Sequence, residues 1–154
     1  VTPVAKVFAV RQISDLSALL RIEFASFSRP WTPAMFQQAF ADPHTIVLAV
    51  RDTDDTIAGF VVGRVVADEL EILIVAVDPD RRRQGMGQRL VLAILDLGRE
   101  QGARAASLEV RRSNRAARRL YERLGFQREA VRQAYYQDPL EDGLIYWHRA
   151  LSPS

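Results

Sequence analysis

The stretch ILIVAVDPDRRRQGMGQRLVLAIL, residues 72–95, decides how this chain is read. It opens on an unbroken apolar run, Ile72 to Val77, dense in β-branched residues. That composition predicts a strand buried on both faces. Asp78-Pro79-Asp80 ends it, because proline has no amide hydrogen and disfavours helix at the residue before it. Arg81, Arg82, Arg83 and Gln84 follow, then Gly85 and Gly87. Beyond them Leu90, Val91, Ile94 and Leu95 fall on one stripe of a helix. A strand, a basic glycine loop and a helix make a place to hold a phosphate. Glycine lets the backbone come close to an anion, and the free amides of a helix's first turn point at it.

On the N-terminal side, Val4 to Val10 has strand composition, and Ser14 with Asp15 marks a helix start. Leu16, Leu19, Leu20, Ile22, Glu23, Phe24 and Phe27 form that helix's inward stripe. Thr32-Pro33 starts a second helix, with Met35, Phe36 and Phe40 inward and Asp42-Pro43 at its end. Thr45 to Arg51, Thr56 to Val66 and Glu69 to Val77 read as three strands. Their connections are too short for crossovers, so they form an antiparallel meander. The glycines of the middle strand mark a bulge or a close approach. On the C-terminal side a helix runs from Gly87 to Glu100, with Gly102 as its cap, and Ala105 to Val110 is a strand parallel to Glu69–Val77. Asn114 caps a short helix with Ala117, Leu120, Tyr121 and Leu124 inward. Phe126 to Tyr136 is a strand, Gln137 to Gly143 a loop, and Leu144 to Leu151 a closing strand. The expectation is a mixed α/β fold in a single domain, residues 1–154.

Composition narrows the function. No apolar run reaches the roughly 18 residues of a membrane helix. The first residues are too polar for a signal peptide. There is no cysteine, hence no disulfide frame, thiol nucleophile or cysteine-bound metal. A cytoplasmic location fits. The pI of about 9.4 hints at nucleic acid, but the net charge is only +2 and acids are interspersed throughout. The dense basic cluster, Arg81 to Arg83, has the glycine loop as its better explanation. His44 and His148 are too few and too far apart for a metal site, so no metal is expected.

Arg82-Arg83-Gln84-Gly85-Met86-Gly87, after a Val-Ala-Val-Asp-Pro strand and before an amphipathic helix, resembles the (Gln/Arg)-x-x-Gly-x-(Gly/Ala) acetyl-coenzyme A loop of the GNAT acetyltransferases. Leu108-Glu109-Val110-Arg111-Arg112-Ser113-Asn114, followed by Leu120-Tyr121-Glu122-Arg123-Leu124-Gly125-Phe126, resembles the ribosomal-protein-alanine N-acetyltransferase, or RimI-like, branch. Tyr135-Tyr136, Glu141-Asp142 and Arg29-Pro30-Trp31-Thr32 are similar to further elements of that branch.

The resemblance implies the GNAT acyl-CoA N-acyltransferase fold, a mostly antiparallel sheet with helices on both faces. It implies acetyl-CoA as cosubstrate, held by Val75, Ala76 and Val77, by Arg82, Arg83, Gln84, Gly85, Met86, Gly87 and Gln88, and by Asn114. It makes Glu109 the general base and Tyr121 the general acid, and sets Tyr135, Tyr136, Glu141 and Asp142 over the substrate. Each has a plainer reading. Glu109 faces away from Leu108 and Val110, as an exposed carboxylate on a half-buried strand would. Tyr121 lies on an inward stripe and suits core packing. Asn114 serves as a helix cap, Tyr135 and Tyr136 suit a core edge, and Arg81–Arg83 suit a solvated charge run.

The chemistry needs a base, since an α-ammonium must lose a proton before its nitrogen attacks a thioester. The expected function is acetyl transfer from acetyl-CoA to a protein N-terminal α-amine, of the ribosomal-protein alanine type, by direct attack in a ternary complex. One alternative acceptor is a small amine or a lysine side chain. A non-enzymatic module binding coenzyme A or nucleic acid is the remaining reading. Ile74, Trp147 and the Gln137-Asp138-Pro139-Leu140 insert depart from the family pattern, all on the side of the acceptor. Neither the oligomeric state nor the biological partner is legible in the sequence.

Overall fold

Side chains on a strand alternate between two faces, and this governs the central strand. The computed structural model describes residues 6–10, 15–82 and 85–151. Its elements are β1 (Val7–Ala9), α1 (Leu16–Ser26), α2 (Pro33–Ala41), β2 (Thr45–Arg51), β3 (Ile57–Val66), β4 (Glu69–Val77), a 3₁₀ turn (Pro79–Arg81), α3 (Met86–Glu100), β5 (Ala105–Arg111), α4 (Arg115–Arg123), β6 (Gln127–Tyr136) and β7 (Glu141–His148). The strands form one seven-stranded, mostly antiparallel sheet in the order β1-β2-β3-β4-β5-β7-β6. The run Ile72–Val77 is not buried on both faces as its composition predicts. Ile72, Ile74 and Ala76 are buried, whereas Leu73 is 41% exposed and Val75 and Val77 are half-buried.

Contacts divide the chain into two units, Val1–Gly63 with Ile74–Ile94, and Arg64–Leu73 with Leu95–Ser154. In the first, Leu16, Leu19, Ile22 and Phe36 of the helices pack with Val47, Phe60, Val62, Ile74 and Ala76 of the strands. Phe36 meets Trp31 and Phe60 edge to face, at 5.2 and 5.7 Å between ring centres. Thr32 caps α2, its hydroxyl accepting from the Met35 amide at 3.3 Å, with Pro33 at the first helical position. The expected caps of α1 differ. Ser14 and the strand start Val4–Ala5 lie outside the described residues, and Asp15 precedes the helix without a side-chain capping bond. Phe24 is a correction to the inward stripe: it is 79% exposed, because α1 buries only a narrow face through Leu16, Leu19, Ile22 and Glu23.

Glu23 is the charged member of that face, buried as its place in the stripe predicts. One carboxylate oxygen accepts from the Trp31 amide at 2.8 Å, and the other, Oε1, is buried with no partner. Burial raises its pKa, and the Trp31 bond offsets only part of the rise. The native state therefore holds this proton to higher pH than the unfolded chain does. As pH rises from the ordinary carboxylate range through the native pKa, Glu23 removes stability. In urea unfolding from about pH 4 to about pH 8, Glu23→Gln should gain on the wild type as pH rises. A difference that stays constant would mean that Glu23 ionises like a solvated carboxylate.

In the second unit, β5 pairs parallel with β4 from Glu69↔Ala105 to Ile72↔Leu108, as the intervening helix requires. On its other side it pairs antiparallel with β7, and β7 with the edge strand β6. Tyr146 is fully buried, and its hydroxyl accepts from Arg118 Nε at 3.2 Å and donates to Glu122 at 3.0 Å. Gly125 has φ +99°, and a Cβ there would lie 2.8 Å from His148 Nε2, so backbone and space both demand glycine. The last hairpin is tighter than its turn residues suggest: β7 begins at Glu141, so Glu141 and Asp142 are strand residues and not loop residues.

Candidate active site

In the first unit, the end of β4 is anchored before the glycine loop begins. The Asp78 amide donates to Ala58 O at 2.7 Å. Its buried carboxylate accepts from the Asp80 amide at 3.0 Å and from Arg21 Nη1 at 2.9 Å. The Arg21 hydrogen bond, more than any other cause, holds the Asp78 carboxyl below the usual range. Gly59 lets β3 lie close: a Cβ there would meet Ala76 O at 2.8 Å, which is the close approach its sequence position suggests. Arg81 does not add charge to the loop's mouth. Its guanidinium reaches Asp52 at 2.8 Å and Asp54 at 3.0 Å in the β2–β3 turn. Arg82 is exposed, with Nε donating to Val77 O at 3.3 Å.

Arg83 and Gln84 lie outside the described residues. Gly85 has φ +76° and nothing within 4 Å of where a Cβ would sit. The amides of Met86, Gly87 and Gln88 occupy the first turn of α3, ahead of the Arg89 N to Gly85 O bond at 3.1 Å. An open glycine at a helix start suits a pyrophosphate, and the half-buried Val75 and Val77 at the end of β4 suit an extended arm.

In the second unit, Glu109 stands where strand alternation puts it, half-buried, opposite the buried Leu108 and Val110. Arg132 Nη1 lies 3.4 Å from Glu109 Oε1. Burial first, then the Glu109 charge, raises the pKa of the Tyr135 phenol, and Arg132 offsets part of the rise. The Arg132 guanidinium sits 4.9 Å from the Tyr135 ring centre, and the Tyr135 and Tyr136 rings are 5.1 Å apart, edge to face. Burial first, then the Glu109 charge, pushes the Tyr136 phenol up to about 12. Tyr121 is buried, and burial, then Tyr136, raises its pKa well above the ordinary phenol range. It therefore keeps its proton at any working pH. Its ring also packs 5.9 Å from Phe126, so the core role and an acid's role are compatible.

A bulge makes this cluster. Between Arg132↔Gly143 and Tyr136↔Glu141, Gln133, Ala134 and Tyr135 of β6 oppose Asp142 alone. Ala134 has φ +52°, and its amide donates to Asp142 Oδ1 at 2.9 Å. In an unbroken strand, Arg132 and Tyr135 would face opposite sides. Gly143 allows both rings close, since a Cβ there would lie 3.1 Å from the Tyr135 ring and 3.2 Å from that of Tyr136. Glu141 and Asp142 are thus engaged within the fold. Glu141 accepts from Arg111 at 3.1 Å, from the Ser113 amide at 3.1 Å and from the Ser113 hydroxyl at 2.9 Å. Burial would raise its pKa, but these bonds outweigh it and leave the value lowered. Asp142 also faces Arg112 at 3.6 Å. Asn114 caps α4, accepting from the Ala117 amide at 3.2 Å.

Sequence reasoning missed Arg132 and the bulge; no glycine or proline announces either. The described residues contain no cluster of three or more potential metal ligands and no helix long and apolar enough to cross a membrane.

Comparison with known proteins gives this arrangement a family. Residues 15–126 match the model of the acetyltransferase (GNAT) family. The [ribosomal protein bS18]-alanine N-acetyltransferase of Escherichia coli K12 is 35% identical over 136 residues, covering 87% of this chain and 90% of that protein. The N-alpha-acetyltransferase RimI of Mycobacterium tuberculosis is 37% identical over 112 residues, 70% of this chain and 68% of that one. Among solved structures, the E. coli ribosomal-protein-S18-alanine N-acetyltransferase superposes with a TM-score of 0.87 at 31% identity, over 98% of this chain and 96% of that one. Ard1 from Thermoplasma volcanium does so at 0.82 and 30%, over 93% and 95%. With the sheet order, the glycine loop and the match over residues 15–126 in agreement, this chain belongs to the GNAT family of acetyltransferases.

Proposed function

We propose that residues 1–154 work as one domain that transfers an acetyl group from acetyl-CoA to a protein N-terminal α-amine, of the ribosomal-protein alanine type. The observation that carries the reading is Glu109, set beside the Tyr135 and Tyr136 phenols in a chain whose relatives are named for that activity. Acetyl-CoA supplies an acetyl group on a thioester, a carbonyl reactive toward a free amine. Val75, Ala76 and Val77 offer backbone edge to its extended arm. The loop Arg82–Gln88 offers amides and charge to its pyrophosphate, and Asn114 a side-chain amide.

Glu109 takes the proton of the acceptor's ammonium, directly or through water, and so frees the nitrogen lone pair. Tyr121 holds a proton ready for the departing sulfur, and burial keeps it there. Tyr135 and Tyr136 flank the acceptor. A ribosomal-protein acceptor would put the protein in the cytoplasm.

Thiol release, followed with alanine-starting peptides beside small amines and peptides whose only amine is a lysine side chain, tests the acceptor. Turnover of the alanine peptides well above the others is expected. Turnover confined to small amines or lysine would refute the N-terminal reading.

Glu141 and Asp142 contribute on this reading by shaping the acceptor's side through their contacts in the fold. Asp142→Asn keeps an oxygen able to accept the Ala134 amide and should retain most activity. Asp142→Ala removes the acceptor and should lower the rate up to about tenfold, as loss of one hydrogen bond of about 1 kcal/mol would. Equal losses in both variants would instead make the Asp142 charge a substrate contact.

A further inference from the structure

Glu109 already has a cation beside it. Among the described residues, the groups that act on that carboxylate are Arg132, Tyr135 and Tyr136 of β6, and the buried Tyr121 of α4 is coupled to Tyr136 in turn. Arg111 lies two residues on, on the same face of β5, but it is held elsewhere. It donates to Glu141, Pro139 O and Gln137 O, and it stacks 4.6 Å from the Tyr136 ring centre. Arg132 is different. Its side chain is 52% exposed, its contacts are the 3.4 Å ion pair and the Tyr135 ring face, and the bulge is what turns those groups together. A half-exposed ion pair is weak and easily exchanged.

We propose that Arg132 occupies the acceptor's ammonium subsite in the free protein, so that Glu109, Arg132 and the Tyr135 ring form a cation slot which the incoming α-ammonium must take from the guanidinium. The slot is built for a cation twice over, by a carboxylate on one side and an aromatic face on the other. The acceptor arrives in the same charge state, because an α-amine with a pKa near 8 is mostly protonated at neutral pH. Arg132 therefore competes with the acceptor and screens the subsite from other small cations. This inference rests on the reading of Glu109 as the group that receives the acceptor's proton.

Arg132→Ala tests it through a split between KM and kcat. With the slot vacated, KM for an alanine-starting peptide should fall about fivefold at low salt, with kcat close to the wild-type value. Arg132→Lys should keep the wild-type KM. Guanidinium chloride at low millimolar concentration, far below what unfolds proteins, should then compete with the peptide in Arg132→Ala and leave the wild type unaffected. A merely structural arginine would show no such competition. A KM for Arg132→Ala that is unchanged or raised, in a variant that melts like the wild type, overturns the proposal, as does indifference to guanidinium. Failure of the underlying reading shows elsewhere, as an undiminished kcat in Glu109→Gln.

Discussion

Glu109→Gln is expected to lower the acetylation rate at neutral pH by about 10²–10⁴-fold, the usual contribution of a positioned general base. Glutamine fills the same volume on β5 and leaves the buried Leu108 and Val110 undisturbed, so the fold should persist. The proposed coenzyme A contacts do not include Glu109, so affinity for coenzyme A should stay within about twofold, since the substitution removes no cofactor contact. The deficit should shrink as pH rises. Below about pH 8 the acceptor is mostly ammonium and needs a base, and above that value it is increasingly a free amine without help. Rate against pH from about 6 to about 9.5, for wild type and variant, measures this. A variant with the wild-type rate at pH 7 would remove Glu109 from the mechanism.

The second large effect concerns stability. Phe36 is fully buried and holds Trp31 and Phe60 edge to face. Phe36→Ala should cost about 3–5 kcal/mol, the range for deleting a buried aromatic ring. In a chain of this size that lowers Tm on the order of 10 °C. Met35 is its neighbour on α2 and 41% exposed, so Met35→Ala should cost less than about 0.5 kcal/mol. Urea unfolding of the two variants separates a helix that packs through one residue from one that depends on its whole apolar face. Similar losses in both would mean that α2 buries more than Phe36.

Where local rules had a residue type to work on, the sequence sufficed. Thr32-Pro33 and Asn114 are helix caps because a short side chain can accept a first-turn amide. Gly85, Gly102 and Gly125 all adopt positive φ, which glycine tolerates freely. The parallel pairing of β4 and β5 follows from the helix between them. In the candidate site, the same locality made the glycine loop legible and put Glu109 on the open face of its strand, while its role as base came from the family resemblance alone. One is a backbone motif; the other is a charged residue in an otherwise apolar strand.

The rest depended on partners distant in sequence. Composition marks Ile72–Val77 as apolar but does not say that one face is left uncovered; that depends on what packs against it. Arg81 reads like its two neighbours until Asp52 and Asp54 are brought beside it. Phe24 and Glu23 adjoin in sequence, yet the aromatic side chain is exposed and the carboxylate is buried, because the Trp31 amide lies on one side of α1 only. Ala134 carries no mark of a bulge, since its unusual φ is held by the Asp142 carboxylate from the neighbouring strand. So the amino-acid order by itself determined the elements, the caps at Thr32 and Asn114 and the glycine turn ahead of α3, which are matters of backbone and nearest neighbours. Which charges are spent, which face stays open and what stands beside Glu109 were decided by tertiary contacts, because each is an energy shared between residues that only folding brings together.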